Sequence, residues 1–130
     1  MANVRVERTE DGGFLATNAR GAEVRMGGGT DEGVFTPVEL LLAALGGCHI
    51  VTVEPLTAKR GQRLVRLAME ISADKAEPNR LGPITVRYDV ELPSEEADEV
   101  FRAVAHRVHE KYCTVGRSLE EGTEVRLDIP

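Results

Sequence analysis

Two cysteines are the residues of this sequence with the greatest chemical potential. Cys48 and Cys113 are its only cysteines and lie about 65 positions apart. Two cysteines are too few for the disulfide framework of a small secreted domain. Free cysteine is often a small buried hydrophobe, but its thiolate is also a nucleophile. Each thiol is therefore either a packing residue or a reactive group.

A carboxylate precedes the first cysteine, and its helical phase limits how the two could cooperate. Glu39 and Cys48 are nine residues apart in a predicted helix. At 100° and 1.5 Å per residue they lie on opposite faces, roughly 13–14 Å apart along the axis. The two side chains can belong to one site only if the helix is broken or a second subunit supplies one of them.

Histidines near both cysteines raise the question of a metal site or a Cys–His hydrolase. His106, His109 and Cys113 fall on one helical stripe, and Cys48 is followed by His49. A zinc site needs three or four converging ligands, and these spacings match no zinc-finger pattern, so we expect no metal. On a helix His49 points about 100° away from Cys48, which disfavours its use as the base of a nucleophilic thiol.

A long helix is predicted to carry the first cysteine. Thr36 can cap it, Pro37 suits its first position, and Glu39 completes a capping box. Residues 40–51 are apolar nearly all round, so we expect protein on every side of this helix.

Glycine and proline residues in the first helix predict a close contact, a kink or interruption, and the end of the helix. Gly46 and Gly47 each weaken a helix by up to ~1 kcal/mol relative to alanine, and close approach of another backbone would compensate. Pro55 should kink or interrupt the helix, because it lacks an N–H. Gly61, after two cations, should end it.

The remaining elements complete one α+β domain over residues 1–130, in the order βββ-α-ββ-α-β. Alternating apolar residues predict most strands, and a stripe from Ala97 to Val108 predicts the second helix, which fades near Cys113. A polar loop should join the fourth and fifth strands. The predicted strands are 3–8, 14–17, 22–26, 65–72, 84–92 and 125–129, the loop is 74–83, and the second helix opens at 93–94.

Composition and charge exclude several classes of protein. Apolar residues make up 42% of the chain and charged residues 29%, which is typical of a globular domain. With 16 basic and 22 acidic residues the net charge is −6. Nucleic acids and anionic membranes attract cationic surfaces, so we expect neither as a partner.

The cytoplasm is the expected compartment. Residues 1–10 contain no apolar run of the secretory type, and the apolar stretch 38–53 falls short of the ~20 residues that a bilayer requires. Thiols remain reduced in the cytoplasm.

Two segments centred on the cysteines resemble a known family. The segment Thr36–Cys48, TPVELLLAALGGC, is similar to the first motif of the OsmC/Ohr family of osmotically inducible and organic hydroperoxide resistance proteins. Residues 110–115, EKYCTV, followed by RSL at 117–119, resemble the second motif. The order of elements agrees over nearly the whole chain, and the similarity is greatest to the general OsmC-like branch.

The resemblance implies a fold and a set of catalytic roles. The fold would be an intertwined homodimer whose antiparallel sheets wrap around long buried central helices, with each site shared between subunits. The activity would be that of a thiol-dependent peroxidase, an oxidoreductase of the antioxidant stress response. Cys48 would attack the hydroperoxide, Cys113 would resolve the product into a disulfide, and Glu39 would join the active-site network. Arg20 and Arg25 are the candidates for the family's activating arginine.

The resemblance also implies partners. The substrate would be an organic hydroperoxide and the reductant an external dithiol or lipoyl-type thiol, with no metal, haem or flavin cofactor. An alternative function is that of an OsmC-like dimer without significant peroxidase activity that binds a small hydrophobic ligand.

Overall fold

The computed structural model describes residues 2–130 and has an α+β architecture with two antiparallel sheets, which confirms the predicted fold class. Contacts divide the chain into two compact units, of which the first ends at Leu41 and the second runs from Leu42 to Pro130. The elements are β1 (Val4–Arg8), β2 (Phe14–Asn18), β3 (Glu23–Met26), α1 (Pro37–Lys59), β4 (Arg66–Ala76), β5 (Arg80–Glu91), α2 (Ala97–Arg107), a π-helical turn (Val108–Tyr112) and α3 (Thr114–Glu121).

The first unit is a three-stranded meander, as its alternating pattern predicts. β2 pairs with both neighbours, with Val4 opposite Asn18 and Phe14 opposite Met26. Val4 and Val6 point to the same side of β1 and remain 69% and 56% exposed. The meander therefore presents apolar side chains that the chain itself leaves uncovered.

Helix α1 begins and ends as its sequence predicts, but it is not interrupted. The Thr36 N–H donates to Glu39 Oε1 at 2.8 Å and the Glu39 N–H to Thr36 Oγ1 at 3.1 Å, which closes the capping box. Gly61 follows the last turn with φ +72°. The interruption that Pro55 could cause does not occur, since α1 continues through it, and the alternative of a kink stays a prediction. Because Pro55 has no N–H, the carbonyl of Val51, four residues earlier, loses its helical hydrogen bond. Val51 is 73% exposed, so water can donate to that carbonyl instead.

One face of α1 is buried and the other is exposed within the single chain. The buried residues are Leu45, Gly46, His49, Val53 and Thr57. The exposed face is small and apolar and consists of Ala44, Gly47, Val51, Pro55 and Ala58. Protein does not surround the helix on every side in one copy of the chain.

The paired glycines of α1 differ in surroundings. A Cβ at Gly46 would overlap Ile71 Cδ1, whereas a Cβ at Gly47 would meet nothing within 4 Å in the part of the chain that the structure describes. The expected close approach therefore occurs at Gly46 alone, and it is made by a side chain of β4 rather than by a backbone.

Length and composition alone would allow α1 to cross a membrane. The core helices of soluble proteins satisfy the same criterion.

The second unit contains a long β4–β5 hairpin. Its register places Arg66 opposite Glu91 and Ile71 opposite Val86. The expected polar loop over residues 74–83 is wrong in its length, because pairing continues as far as Ala76 and Arg80. A bulge between Ala73 and Lys75 absorbs the irregularity and lets the ladder continue.

The core of the second unit lies where α1, α2 and the π-helical turn meet. Ala97, Val104 and Val108 form the buried stripe that the helical spacing predicts. The sequence reading did not anticipate α3, which ends at Gly122 in the left-handed region with φ +71°. The buried cluster comprises Leu45, Val53, Leu64, Val104, Val108 and Cys113.

The predicted C-terminal strand is absent from the described chain, 2–130. Val125, Leu127 and Ile129 are 93%, 86% and 75% exposed and belong to no strand. An alternating segment becomes a strand only when an edge supplies its hydrogen bonds, and none within residues 2–130 pairs with it. The prediction of a strand at 125–129 is therefore wrong for the single chain.

Candidate thiol site

Cys48 lies on the inner side of α1, at the boundary of the core. It is half-buried and follows Leu45 by one helical turn. Its side chain packs against the buried cluster to which Cys113 belongs. The helix that presents Cys48 is fixed at its start by the capping box and on its buried side by β4.

Cys113 occupies the break between the π-helical turn and α3. Its backbone is extended, with φ −77° and ψ 94°, and its side chain caps α3. The Gly116 N–H donates to the Cys113 Sγ at 3.3 Å. The residue is fully buried. The chain reversal thus holds this thiol inside the core with the Gly116 N–H directed at the sulfur.

The second thiol is held in its protonated form. Burial raises the pKa of Cys113, the Gly116 N–H lowers that pKa in part, and the neighbouring Cys48 thiol raises it again. Cys113 is therefore a thiol rather than a thiolate at neutral pH. The same interaction shows that the structure brings Cys48 and Cys113 together, although about 65 positions separate them in the chain.

The packing around the two sulfurs leaves no spare volume on the α3 side. A Cβ at Gly116 would lie 3.2 Å from Cys113 Sγ and 3.3 Å from Leu45 Cδ1. Leu45 and Cys48 share one stripe of α1, so α3 approaches α1 closely at the thiols. A Cβ at position 116 would displace Cys113 Sγ or Leu45 by a few tenths of an ångström.

Glu39 and the two candidate arginines belong to the first unit. Glu39 accepts the Thr36 N–H in the capping box. Arg25 lies 3.8 Å from Asp11 in an exposed ion pair, and Arg20 occupies an exposed turn. The roles of Glu39, Arg20 and Arg25 in catalysis remain predictions.

A buried histidine adjoins the thiols, and sequence reasoning did not assign it a role. His49 is 1% exposed, and its Nδ1 lies 3.1 Å from the Tyr88 hydroxyl. The His109 ring stacks on it with centroids 5.6 Å apart. Burial, followed by His109, lowers the pKa of His49. The one sequence signal for the contact between His49 and Tyr88 was the alternating pattern of β5, which places Tyr88 on the same face of the strand as the apolar residues.

The same part of the molecule contains an open cavity of about 530 Å³. Burial raises the pKa of Tyr88 in its wall to about 12, with a further contribution from nearby Cys113. Neither cysteine lines the cavity. Its lining consists of His49, Val86, Tyr88, Val90, Leu92, Asp98, Phe101, Arg102, Ala105, His106 and His109.

The histidines do not assemble into a metal centre with the cysteines. Within residues 2–130 no group of three or more His, Cys, Asp or Glu side chains is placed to hold an ion. The stripe of His106, His109 and Cys113 does not converge, because Cys113 turns into the core while His106 and His109 remain exposed.

Residues 28–128 match the family described as OsmC-like protein. The chain belongs to this family. A relative from Mycobacterium tuberculosis, "Uncharacterized protein Rv2923c", is 35% identical over 99% of this chain and 96% of its own length. The predicted family resemblance is thereby confirmed.

Solved structures of OsmC-like proteins share the fold. An OsmC-like protein from Mycoplasma pneumoniae superposes with a TM-score of 0.74 and 16% identity, over 95% of this chain and 89% of that one. The organic hydroperoxide resistance protein OhrB of Bacillus subtilis gives a TM-score of 0.63 and 14% identity, over 94% of this chain and 92% of that one. At these identities the likeness concerns the fold.

Proposed function

We propose that this OsmC-like protein is a thiol-dependent peroxidase that reduces organic hydroperoxides to alcohols. The observation that carries the proposal is the proximity of Cys48 and Cys113 inside one chain. Two isolated thiols that meet in a core fit a redox pair better than two independent packing residues. Membership of a family that includes hydroperoxide resistance proteins supports the same reading.

The difference in burial between the two thiols supports the order of action that we propose. The attacking group in a peroxidase is a thiolate with access to solvent. Cys113 is fully buried and has a raised pKa, so it is poorly suited to attack. Cys48 is only half-buried and takes the role of nucleophile.

The reaction then proceeds in three balanced steps. The Cys48 thiolate attacks one peroxide oxygen of R–O–O–H, the O–O bond breaks, and after protonation the products are R–OH and the Cys48 sulfenic acid. The Cys113 thiol attacks the sulfenic sulfur, which forms the disulfide and releases water. An external dithiol or lipoyl-type thiol reopens the disulfide by exchange and is itself oxidised to a disulfide.

We further propose that the active species is a cytoplasmic homodimer, in which Glu39 of one copy joins the thiols of the other. Glu39 and Cys48 are on opposite faces of an unbroken α1, so one copy cannot place both in one site. The exposed apolar face of α1 and the uncovered Val125, Leu127 and Ile129 supply surface for such an assembly. Sedimentation equilibrium tests this directly, and a monomer at micromolar concentration would contradict it.

Thiol titration tests the peroxidase itself. The reduced protein is treated with one equivalent of cumene hydroperoxide per chain, and its free thiols are counted before and after. We expect the loss of two thiols per chain, their recovery with a dithiol, and a peptide that joins Cys48 to Cys113. No loss of thiols within minutes would overturn the proposal and favour the alternative of an OsmC-like protein that binds a hydrophobic ligand.

A further inference from the structure

The cavity between β5 and α2 contains a buried hydrogen-bonding atom without a partner. His49 lines this cavity, and its Nε2 is the one buried side-chain nitrogen or oxygen left without a hydrogen bond among the described residues. Nearly all buried polar groups in folded proteins are hydrogen-bonded, so such a group calls for an explanation.

The hydrogen bond on the other side of the ring sets the character of Nε2. Across residues 2–130, His49 Nδ1 is the sole recorded hydrogen-bond partner of the Tyr88 hydroxyl. This contact is compatible with either tautomer of His49, and in the tautomer that we assign the Tyr88 hydroxyl donates to Nδ1. A neutral imidazole that accepts at Nδ1 carries its hydrogen at Nε2. His49 therefore offers a donor, and the missing partner must be an acceptor.

The wall of the cavity indicates what else that partner contains. One side of the cavity is aliphatic and aromatic, from Val86, Val90, Leu92, Phe101 and Ala105. A volume of about 530 Å³ falls in the range of small-molecule sites, which are mostly apolar with a few polar groups that orient the ligand.

Within the described part of the chain, the charged groups around the cavity leave no unpaired carboxylate to repel an anion. The single carboxylate in the lining, Asp98, is already engaged by Arg102, whose Nε donates to both Asp98 oxygens at 3.2 and 3.0 Å. His106 and His109 add two imidazoles, whose ring N–H groups can donate hydrogen bonds to an anion. His109 stacks over His49 and is half exposed.

We propose that this cavity binds a medium-chain monocarboxylate, with the alkyl chain along β5 and α2 and the carboxylate accepting the His49 Nε2–H. Neither cysteine lines the site, although Tyr88 in its wall lies near Cys113. The inference does not rest on the peroxidase activity, and binding is measured on the reduced protein without peroxide.

Isothermal titration of the reduced wild-type protein with decanoate tests the proposal, and decylamine serves as the probe with the same chain and a cationic head. We expect saturable binding of one decanoate per chain and at least tenfold weaker binding of decylamine. Equal affinity for both probes would mean partition of an alkyl chain and would overturn the role of His49. Absence of saturable decanoate binding, including closure of the cavity by a second copy, would overturn the site.

A matched pair of tryptophan variants on α2 locates the site. Ala105 lines the cavity, whereas Ala103 is an exposed residue on the same helix and does not. Ala105→Trp should fill the cavity and weaken decanoate binding at least tenfold, and Ala103→Trp should leave it within about twofold. Equal effects would place decanoate elsewhere.

The donor itself is tested at His49. His49→Phe should weaken decanoate binding about tenfold or more, because a hydrogen bond to a charged group is lost. His49→Gln, which keeps an N–H donor, should recover part of that loss. Nitrogen NMR of the wild-type imidazoles provides a readout that does not depend on folding of the variants. Decanoate should shift the His49 Nε2 signal, and an unchanged signal would contradict the proposal.

Discussion

Cys48 and His49 are consecutive residues of α1, and they face opposite kinds of surroundings. Cys48 lies against a closely packed contact, where Cys113 is fully buried and a Cβ at Gly116 would already crowd both the sulfur and Leu45. His49 borders an open cavity of about 530 Å³ and keeps an unused donor.

The difference separates two kinds of site on one helix. On the packed side Cys48 lies against the cluster that contains Cys113, and this side suits a bond that forms between two groups of the protein itself. The open side has room, and within residues 2–130 His49 Nε2 has no hydrogen-bond partner there, so this side suits a ligand. A rotation of 100° per residue is enough to place neighbouring side chains in these two environments.

The largest expected effect is at the nucleophile on the packed side. Cys48→Ser should abolish turnover of cumene hydroperoxide, because a serine hydroxyl is not ionised at neutral pH and is a poor nucleophile. Cys113→Ser should consume one equivalent of peroxide and then stop at the sulfenic acid, which mass spectrometry after dimedone trapping detects. Full activity of Cys48→Ser would show that the assigned roles are wrong.

The next effect concerns the helix that both sites share. Gly46→Ala should destabilise the protein by up to about 2 kcal/mol in urea unfolding, because the overlap of the new methyl group with Ile71 outweighs the ~1 kcal/mol that alanine gains over glycine in a helix. Because Ile71 pairs with Val86 in the cavity wall, both the thiol oxidation rate and decanoate binding should change.

The double variant Gly46→Ala/Ile71→Val provides the control for that prediction. It removes the methyl group that collides and should recover much of the lost stability, although Ile→Val alone costs about 0.5–1.5 kcal/mol. If Gly46→Ala is as stable as the wild type, then the contact with β4 does not set the position of α1.

A smaller change should affect the packed side alone. Gly116→Ala should slow disulfide formation several-fold, because its Cβ lies 3.2 Å from the Cys113 Sγ. Decanoate binding should not change. The rate is measured by quenching after addition of peroxide, and Leu119→Ala, at an exposed position of α3, is the control. Equal oxidation rates for Gly116→Ala and the wild type would show that the packing at Gly116 is not limiting.

The smallest effect is a pH dependence that belongs to the open side. Burial and His109 hold the pKa of His49 below its ordinary value of 6.5. As the pH falls through that value, the unfolded chain binds a proton that folded His49 does not yet accept, so stability falls with pH. His49→Gln should remove this part of the slope in urea titrations between about pH 5 and 8.

The exposed histidine of the same cavity is the control for that slope. His106→Gln should retain the wild-type pH dependence, although His106, His109, Asp98, Arg102 and Tyr88 all face the cavity. If the dependence of stability on pH persists in His49→Gln and disappears in His106→Gln, then His106 rather than His49 causes it.

Local sequence signals predicted the elements that depend on local chemistry. The capping box at Thr36 and Glu39, the stop at Gly61 and the alternating pattern of β5 are each formed by residues a few positions apart, and each is present. The length of the β4–β5 hairpin and the helix α3 were missed. Both depend on pairing or packing that the local pattern does not encode.

Residues 125–129 show that a local pattern alone does not form a strand. Their alternation is typical of a strand, but a strand requires an edge with free hydrogen-bonding groups, and the described chain does not pair one with it. At Pro55 a local rule predicts a kink or an interruption of α1. The helix nevertheless continues through this exposed residue.

The sequence by itself determined the family, the α+β order of most elements and the identity of the two thiols, because motifs and periodicity are written in neighbouring residues. Only the tertiary structure decided that Cys113 is buried and protonated beside Cys48, and that His49 holds an unused donor at a cavity. Burial and contacts between residues about 40 to 65 positions apart in the sequence set those properties. A local sequence pattern covers only a few neighbouring residues and cannot predict such contacts.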